Sequence, residues 1–230
     1  MLELEALSES DFCRHLERYC TQPFPPETLR RLFVHYEELR RWAGTIALIG
    51  PGAVGELFER HYAESLAALP WLPPERPGES GARLLDLGSG AGFPGWILSA
   101  ARPDLEVTLV EARERKWAFL TTAARRARLS CRCLNARVSE RSLADLPDRI
   151  ELVTVRALRL EARTWTALLP HLAAGARVLL WSGEVAEPPP PPFVAGRTLA
   201  LSGSHRFLRE YCLPTLPSLP HVPIAAPGAG

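Results

Sequence analysis

Asp86, Gly88, Gly90 and Gly92 occupy alternate positions, and an acid, Glu111, stands 19 residues beyond the last of these glycines. Glycines lack Cβ, so such a loop turns tightly and brings backbone N–H groups close to a ligand. A carboxylate at the end of the following strand accepts bidentate hydrogen bonds from ribose hydroxyls. Together they suit a nucleoside-containing cofactor. The dinucleotide spacing G-x-G-x-x-G needs a glycine at position 93, where this chain has Phe93.

These residues need a βαβ unit to hold them. Ala82–Leu87 is an apolar run with little helical periodicity, the glycine-rich turn is followed by a short apolar helix candidate, and a second strand-like run ends on Glu111. Downstream, residues 113–128 predict a helix burying Trp117, Leu120, Ala124 and Ala127. Strands are predicted at 131–134, Leu152–Val155 and Ala176–Trp181, with a helix over 160–169. Pro188–Pro192 is a loop, and 193–201 with 206–212 form an antiparallel pair across Gly203. Upstream, amphipathic helices are predicted at 8–20, 27–42 and 54–69, the second with Leu29, Leu32, Phe33, Tyr36 and Leu39 on one face. The chain therefore divides into a helical N-terminal cap (1–78), an α/β domain (79–213) and a Pro-rich, disordered tail (214–230). The cap covers the sheet or shapes a substrate cleft.

A length of 230 residues with 47% apolar content suits one α/β domain with a small appendage. The formal charge of +1 excludes a global field for nucleic acid, so any such surface is a local patch. The segment 113–137 carries eight cations (Arg113, Arg115, Lys116, Arg125, Arg126, Arg128, Arg132 and Arg137) against one acid, Glu114. Arg30, Arg31, Arg40, Arg41 and Arg60 extend that face. The alternative is a solvated surface in an Arg-rich protein. Five cysteines match no zinc spacing, and no metal site is expected. An acidic N-terminus and the lack of a long apolar run lead to the expectation of a cytoplasmic protein without a membrane anchor, and a monomer is expected.

The run D-x-G-x-G-x-G from Asp86 to Gly92 resembles the first motif of class I S-adenosylmethionine (SAM) methyltransferases, a Rossmann-like fold with a mostly parallel sheet and a C-terminal antiparallel hairpin. More narrowly, DLGSGAGFPGWILSAARPDLEVTLVEARERKWAFL is similar to the RsmG family, also called glucose-inhibited division protein B. That family methylates N7 of a guanine in small-subunit ribosomal RNA (rRNA). Phe93-Pro94-Gly95, Ala101-Arg102-Pro103, Phe119-Leu120, Ala136-Arg137-Val138 and Val155-Arg156-Ala157 carry the match, with Arg60-His61-Tyr62 and Ser65-Leu66 upstream.

The resemblance implies SAM as cofactor and rRNA or the small ribosomal subunit as partner. It also implies SAM contacts at Gly88, Phe93, Val138, Ser139 and Arg156, beside Asp86, Gly90, Gly92 and Glu111. For Val138 the alternative is a core valine, and for Arg156 a structural ion pair. Arg60, His61, Arg137, Trp181 and Ser182 are the expected acceptor-side residues, Trp181 being either a stacking platform or a core tryptophan. Guanine N7 carries a free lone pair, so no general base is required.

The chain departs from the family pattern in three places, the mildest being Glu64 where the family's R-H-F-x-D-S-L segment has Asp. The family's W-N-K-x-x-N-L-T reads Trp42-Ala43-Gly44-Thr45-Ile46-Ala47-Leu48-Ile49 here, and the lysine that usually ends the fifth strand is Ser182, so a cation is missing there. These changes keep two other readings open: a SAM enzyme with a small-molecule or protein acceptor, and a noncatalytic ribosome-binding factor.

Overall fold

Near-continuous apolar runs form strands buried on both faces, which in α/β proteins means a parallel sheet covered by helices. The computed structural model describes residues 3–50, 52, 54–76, 81–137, 146–185, 187–201 and 205–215. The strands are β1 (Arg83–Leu87), β2 (Glu106–Glu111), β3 (Arg132–Asn135), β4 (Ile150–Arg156), β5 (Leu172–Gly183), β6 (Val194–Ala200) and β7 (Arg206–Cys212). They form one seven-stranded sheet in the order β3-β2-β1-β4-β5-β7-β6. β7 pairs antiparallel with both β5 and β6, and the pairs from β3 through β5 are parallel. This is the Rossmann-like class expected from the glycine motif. β5 starts earlier than the predicted Ala176, because Leu172 already pairs with Ile150 ahead of a register shift.

Helices α1 (Glu9–Glu17) and α2 (Pro26–Ala43) precede the strands, and α4 (Gly95–Ala101), α5 (Glu114–Arg126) and α6 (Ala162–Leu168) fall between strands in the chain. Ser8 caps α1 by accepting the Asp11 N–H at 3.1 Å. Tyr19, predicted on the buried face of that helix, lies beyond its end and is exposed. The predicted helix 54–69 differs most from expectation. Leu57–Ala63 is wound as a π-helix and continues as α-helix over Glu64–Leu66, the two together being α3. Leu57 and Tyr62 are both buried and stand five residues apart, a step that suits the wider i→i+5 winding.

The helical segment and the sheet share one core. Phe12, Leu32, Leu39 and Tyr62 pack in the same cluster as Leu84, Trp96, Phe119 and Trp181. A second cluster under α6 holds Leu85, Leu87, Val153, Trp165 and Val178. Residues on both sides of the expected division thus share one core. No helix among the described residues is long and apolar enough to cross a membrane. The expected hairpin residue Gly203 and the tail from Leu216 onward lie outside the described residues.

Candidate functional site

Strand register sets the site. Leu87 stands opposite Val110 of β2 and Val155 of β4. The next residue of each strand, Gly88, Glu111 and Arg156, therefore emerges at one level, where the chain reverses direction across the sheet. A cavity of about 940 Å³ opens there, lined by Gly88–Ala91, Phe93, Glu111, His61, Arg156 and the loop that follows β4. Its size falls within the range of small-molecule sites.

The glycine loop is held at each turn. The Gly88 and Ser89 N–H groups both donate to the Val110 carbonyl, at 2.9 and 3.0 Å, and Gly92 N–H donates to the Ser89 carbonyl at 2.6 Å. Gly90 N–H donates to Glu111 Oε2 at 2.8 Å, while Glu111 Oε1 accepts the Arg113 N–H at 2.7 Å. Gly88, Gly90 and Gly92 all have positive φ, the left-handed region that side chains disfavour. Glu111 thus braces the loop with its carboxylate at the cavity wall.

Asp86, expected among the cofactor residues, is not part of the cavity lining. Strand side chains alternate in direction, so Asp86 points with Leu84 toward α4 and is buried behind the loop. Its Oδ1 accepts the Thr154 hydroxyl at 2.7 Å. Burial pushes its carboxyl up to about 6, against the lowering effect of Thr154. A Cβ on Gly95 would sit 2.4 Å from Asp86 Cβ, which explains the glycine that opens α4.

Arg156 both lines the cavity and enters an ion pair. Its Nη2 donates to Glu64 Oε2 at 3.0 Å and to the Arg60 carbonyl, and Arg206 of β7 reaches Glu64 Oε1 at 2.6 Å. Glu64 is 3% exposed, so one buried carboxylate ties α3 to β4 and β7. Arg156 Nη1 is buried without a partner. A buried orphan donor at a cavity wall fits the carboxylate of a bound SAM. With the positive-φ glycines and Glu111, the residues present fit this cofactor.

Other expected residues are placed as follows. His61 lines the cavity and packs on Phe93 at 4.9 Å between ring centroids. Arg137 lies on the cavity rim, and Arg60 pairs with Glu56 at 2.6 Å. Val138 and Ser139 lie outside the described residues. Trp181 is no stacking platform: it is 5% exposed, and its indole N–H donates to the Glu64 carbonyl at 2.9 Å. Ser182 accepts from Arg209, whose guanidinium also reaches the Gly183 and Glu184 carbonyls at 2.8 and 3.0 Å. The cation that the end of β5 lacks in sequence is thus brought there by β7. The expected basic face is narrower than its sequence, because Arg126 and Arg41 pair with Glu38 and Arg31 pairs with Glu27.

Sequence reasoning missed His35, Glu64 as the hub of the ion-pair cluster, and Thr154. His35 stands three residues after Leu32 and four before Leu39, on the apolar face of α2, and that placement was the available signal. Two imidazoles near the loop are held neutral. Burial pushes His35 down to about 4, and burial, then Arg156, Arg60 and Arg206, push His61 down to about 3.

Both folded-state values lie below the ordinary 6.5, so as pH falls through 6.5 the unfolded chain binds protons that the folded chain refuses. Stability is therefore expected to fall between about pH 6.5 and pH 3, with Asp86 and Glu64, both raised by burial, acting in the opposite sense. Urea midpoints at about pH 7.5 and about pH 5.5 check this, and His35→Gln should narrow the gap. A gap unchanged by that substitution counts against His35 as a source.

Comparison with known proteins places this geometry. Residues 28–188 match the family described as GidB: rRNA small subunit methyltransferase G. The chain is 39% identical over 163 residues to the ribosomal RNA small subunit methyltransferase G of Paramagnetospirillum magneticum, covering 70% of this chain and 74% of that one. It is 38% identical over 163 residues to the protein of the same name from Methylobacterium nodulans, covering 69% of each. In fold it is similar to a SAM-dependent methyltransferase from Aquifex aeolicus (TM-score 0.51, 16% identity, 69% of this chain and 93% of that one). It is also similar to a mutant of MtNAS in complex with S-adenosylmethionine (TM-score 0.56, 15% identity, 82% of this chain and 77% of that one). A match over residues 28–188, with relatives at this identity, shows that the chain belongs to the GidB family of rRNA small subunit methyltransferases G.

Proposed function

We propose that this protein methylates small-subunit rRNA with SAM, at N7 of a guanine. The observation that carries the reading is the convergence of the glycine loop, Glu111 and the orphaned Arg156 Nη1 on one cavity in a chain of this family. Gly88, Gly90, Phe93 and Arg156 would hold the cofactor, Glu111 would take the ribose hydroxyls, and Asp86 and Gly92 would support the loop from behind. Val138 and Ser139 complete the proposed set. Bound SAM supplies a methyl group made electrophilic by its sulfonium.

The residues of the chain contribute orientation. N7 attacks with its own lone pair, so the site needs no base and has to hold the ring in line, an effect worth up to about 7–11 kcal/mol. His61, kept neutral, and Phe93 give the cavity an aromatic wall without adding a charge. Arg113, Lys116, Arg137, Arg159 and Arg163 line the same cavity and supply positive charge for phosphates. Arg159 and Arg163 pair with Glu187 and Glu161 in exposed bridges, which are weak and open to exchange for phosphate.

The test incubates the protein and SAM with small subunits, and separately with naked rRNA, from cells lacking this family's enzyme. N7-methylguanine is then mapped by its chemical cleavage. One new site, absent with Gly90→Asp, is the expected result, since that carboxylate would enter the cavity beside Glu111. SAM binding without a new site on either substrate would point to a different acceptor, and no SAM binding would point to a noncatalytic factor.

A further inference from the structure

His35 of α2 is fully buried, with both ring nitrogens bonded: Nε2 lies 2.8 Å from the Ala91 carbonyl oxygen and Nδ1 lies 2.8 Å from the Tyr62 hydroxyl. A carbonyl only accepts, so Nε2 carries the proton. Nδ1 is then the acceptor and Tyr62 the donor, which leaves a single tautomer. The Ala91 carbonyl and the Gly92 N–H belong to one planar peptide. Its oxygen is held by His35, and its N–H is held by the Ser89 carbonyl at 2.6 Å. That peptide is the last turn of the glycine loop before Phe93.

The space around it is closed as well. A Cβ on Gly92 would lie 3.1 Å from His35 Nε2 and 2.8 Å from Trp96 Cβ. The imidazole packs against Phe93, Trp96 and Phe119, with ring centroids 5.2, 4.6 and 5.6 Å away. Without the Nε2–H donor the Ala91 oxygen would be buried and unpaired, and the Gly92 N–H bond alone would oppose rotation of the peptide toward the cavity that Ala91 lines.

We infer that His35, with its tautomer set by Tyr62, is a positioning residue through which the N-terminal helices hold the cofactor loop in its binding conformation. The inference rests on the SAM-binding reading above and adds a physical link from α2 and α3 to that site. Among the described aromatic and apolar residues of this face, the ring atoms of His35 alone bond to the loop backbone, so its role is separable from packing.

The test compares SAM binding by titration calorimetry in the full chain with His35→Gln, His35→Asn, His35→Phe and Tyr62→Phe, alongside melting temperature and the SAM KM and kcat. The Gln amide nitrogen coincides with Nε2 and keeps the donor to Ala91. Asn reaches only the Nδ1 position, and Phe keeps the packing while losing both bonds. Expected is a weakening of SAM binding by roughly ten-fold for Phe and Asn and under about three-fold for Gln, with Tyr62→Phe between them. The KM for SAM should rise while kcat at saturating SAM stays within about two-fold. A merely structural histidine would lower the melting temperature in all four variants with no preference for Gln and no change in SAM affinity, and that result would overturn the inference. If the wild-type chain itself fails to bind SAM, the SAM-binding reading falls together with it. If the wild-type chain binds SAM and every variant binds equally well, the positioning role alone is lost.

Discussion

Glu64→Ala is expected to destabilise the protein by about 3–5 kcal/mol, the largest stability effect of any single side-chain truncation considered for the site. The carboxylate is 3% exposed and faces two guanidiniums, Arg156 at 3.0 Å and Arg206 at 2.6 Å, which are 14% and 24% exposed. Burial drives the Glu64 carboxyl upward, while Arg156 and Arg206 pull it down. Burial likewise lowers Arg156, to about 10, with Glu64 opposing. Each charge is held in a place it would leave if alone. Removing the acid strands two cations beside a third, Arg60, and frees Arg156 from its orientation at the cavity.

Urea unfolding measures the loss, with Glu187→Ala as the reference, since that carboxylate belongs to a pair with both partners largely exposed. The reference should lose no more than about 1 kcal/mol. Glu64→Gln, which keeps one acceptor and the shape, should fall between the two. A Glu64→Ala loss as small as that of the reference would mean that water shares the cluster and that α3 is not tied down by it.

Glu111→Ala is expected to weaken SAM binding about 100-fold or more while changing unfolding stability far less. The carboxylate accepts two backbone donors, Gly90 at 2.8 Å and Arg113 at 2.7 Å. Hydrogen bonds to a charged group contribute about 1.5–3 kcal/mol each, and the proposed ribose contact is lost with them. Stability is spared because one buried negative charge near Asp86, which adds to the upward push on that carboxyl, disappears at the same time. Calorimetric titration gives the affinity, and methyl transfer at saturating SAM separates binding from chemistry. An affinity within about three-fold of the wild-type value would remove Glu111 from the site.

The parts legible beforehand are those governed by local rules. The apolar runs of β1, β2 and β4 are continuous because parallel strands are buried on both faces. The glycines of the loop are required by positive φ, a property of the backbone at each residue. An acid, Glu111, closes the second apolar run. From these the Rossmann-like sheet, the loop and the acid at the end of the second strand could be placed, and the longer string around them carried the family.

The tertiary structure alone decided which faces the side chains meet across long separations. Asp86 lies buried behind the loop because strand alternation and Gly95 set its direction. Trp181 became a core residue because α3 lays the Glu64 carbonyl over its indole N–H. Arg209 restored a cation at the end of β5 from a strand about 27 residues away in sequence. Local composition by itself fixed the loop and the strands, since φ, alternation and apolar runs act over a few residues. The ion-pair hub at Glu64 and the His35–Ala91 bond, which joins residues 56 apart, required the folded chain, because burial and pairing are properties of what the chain packs against.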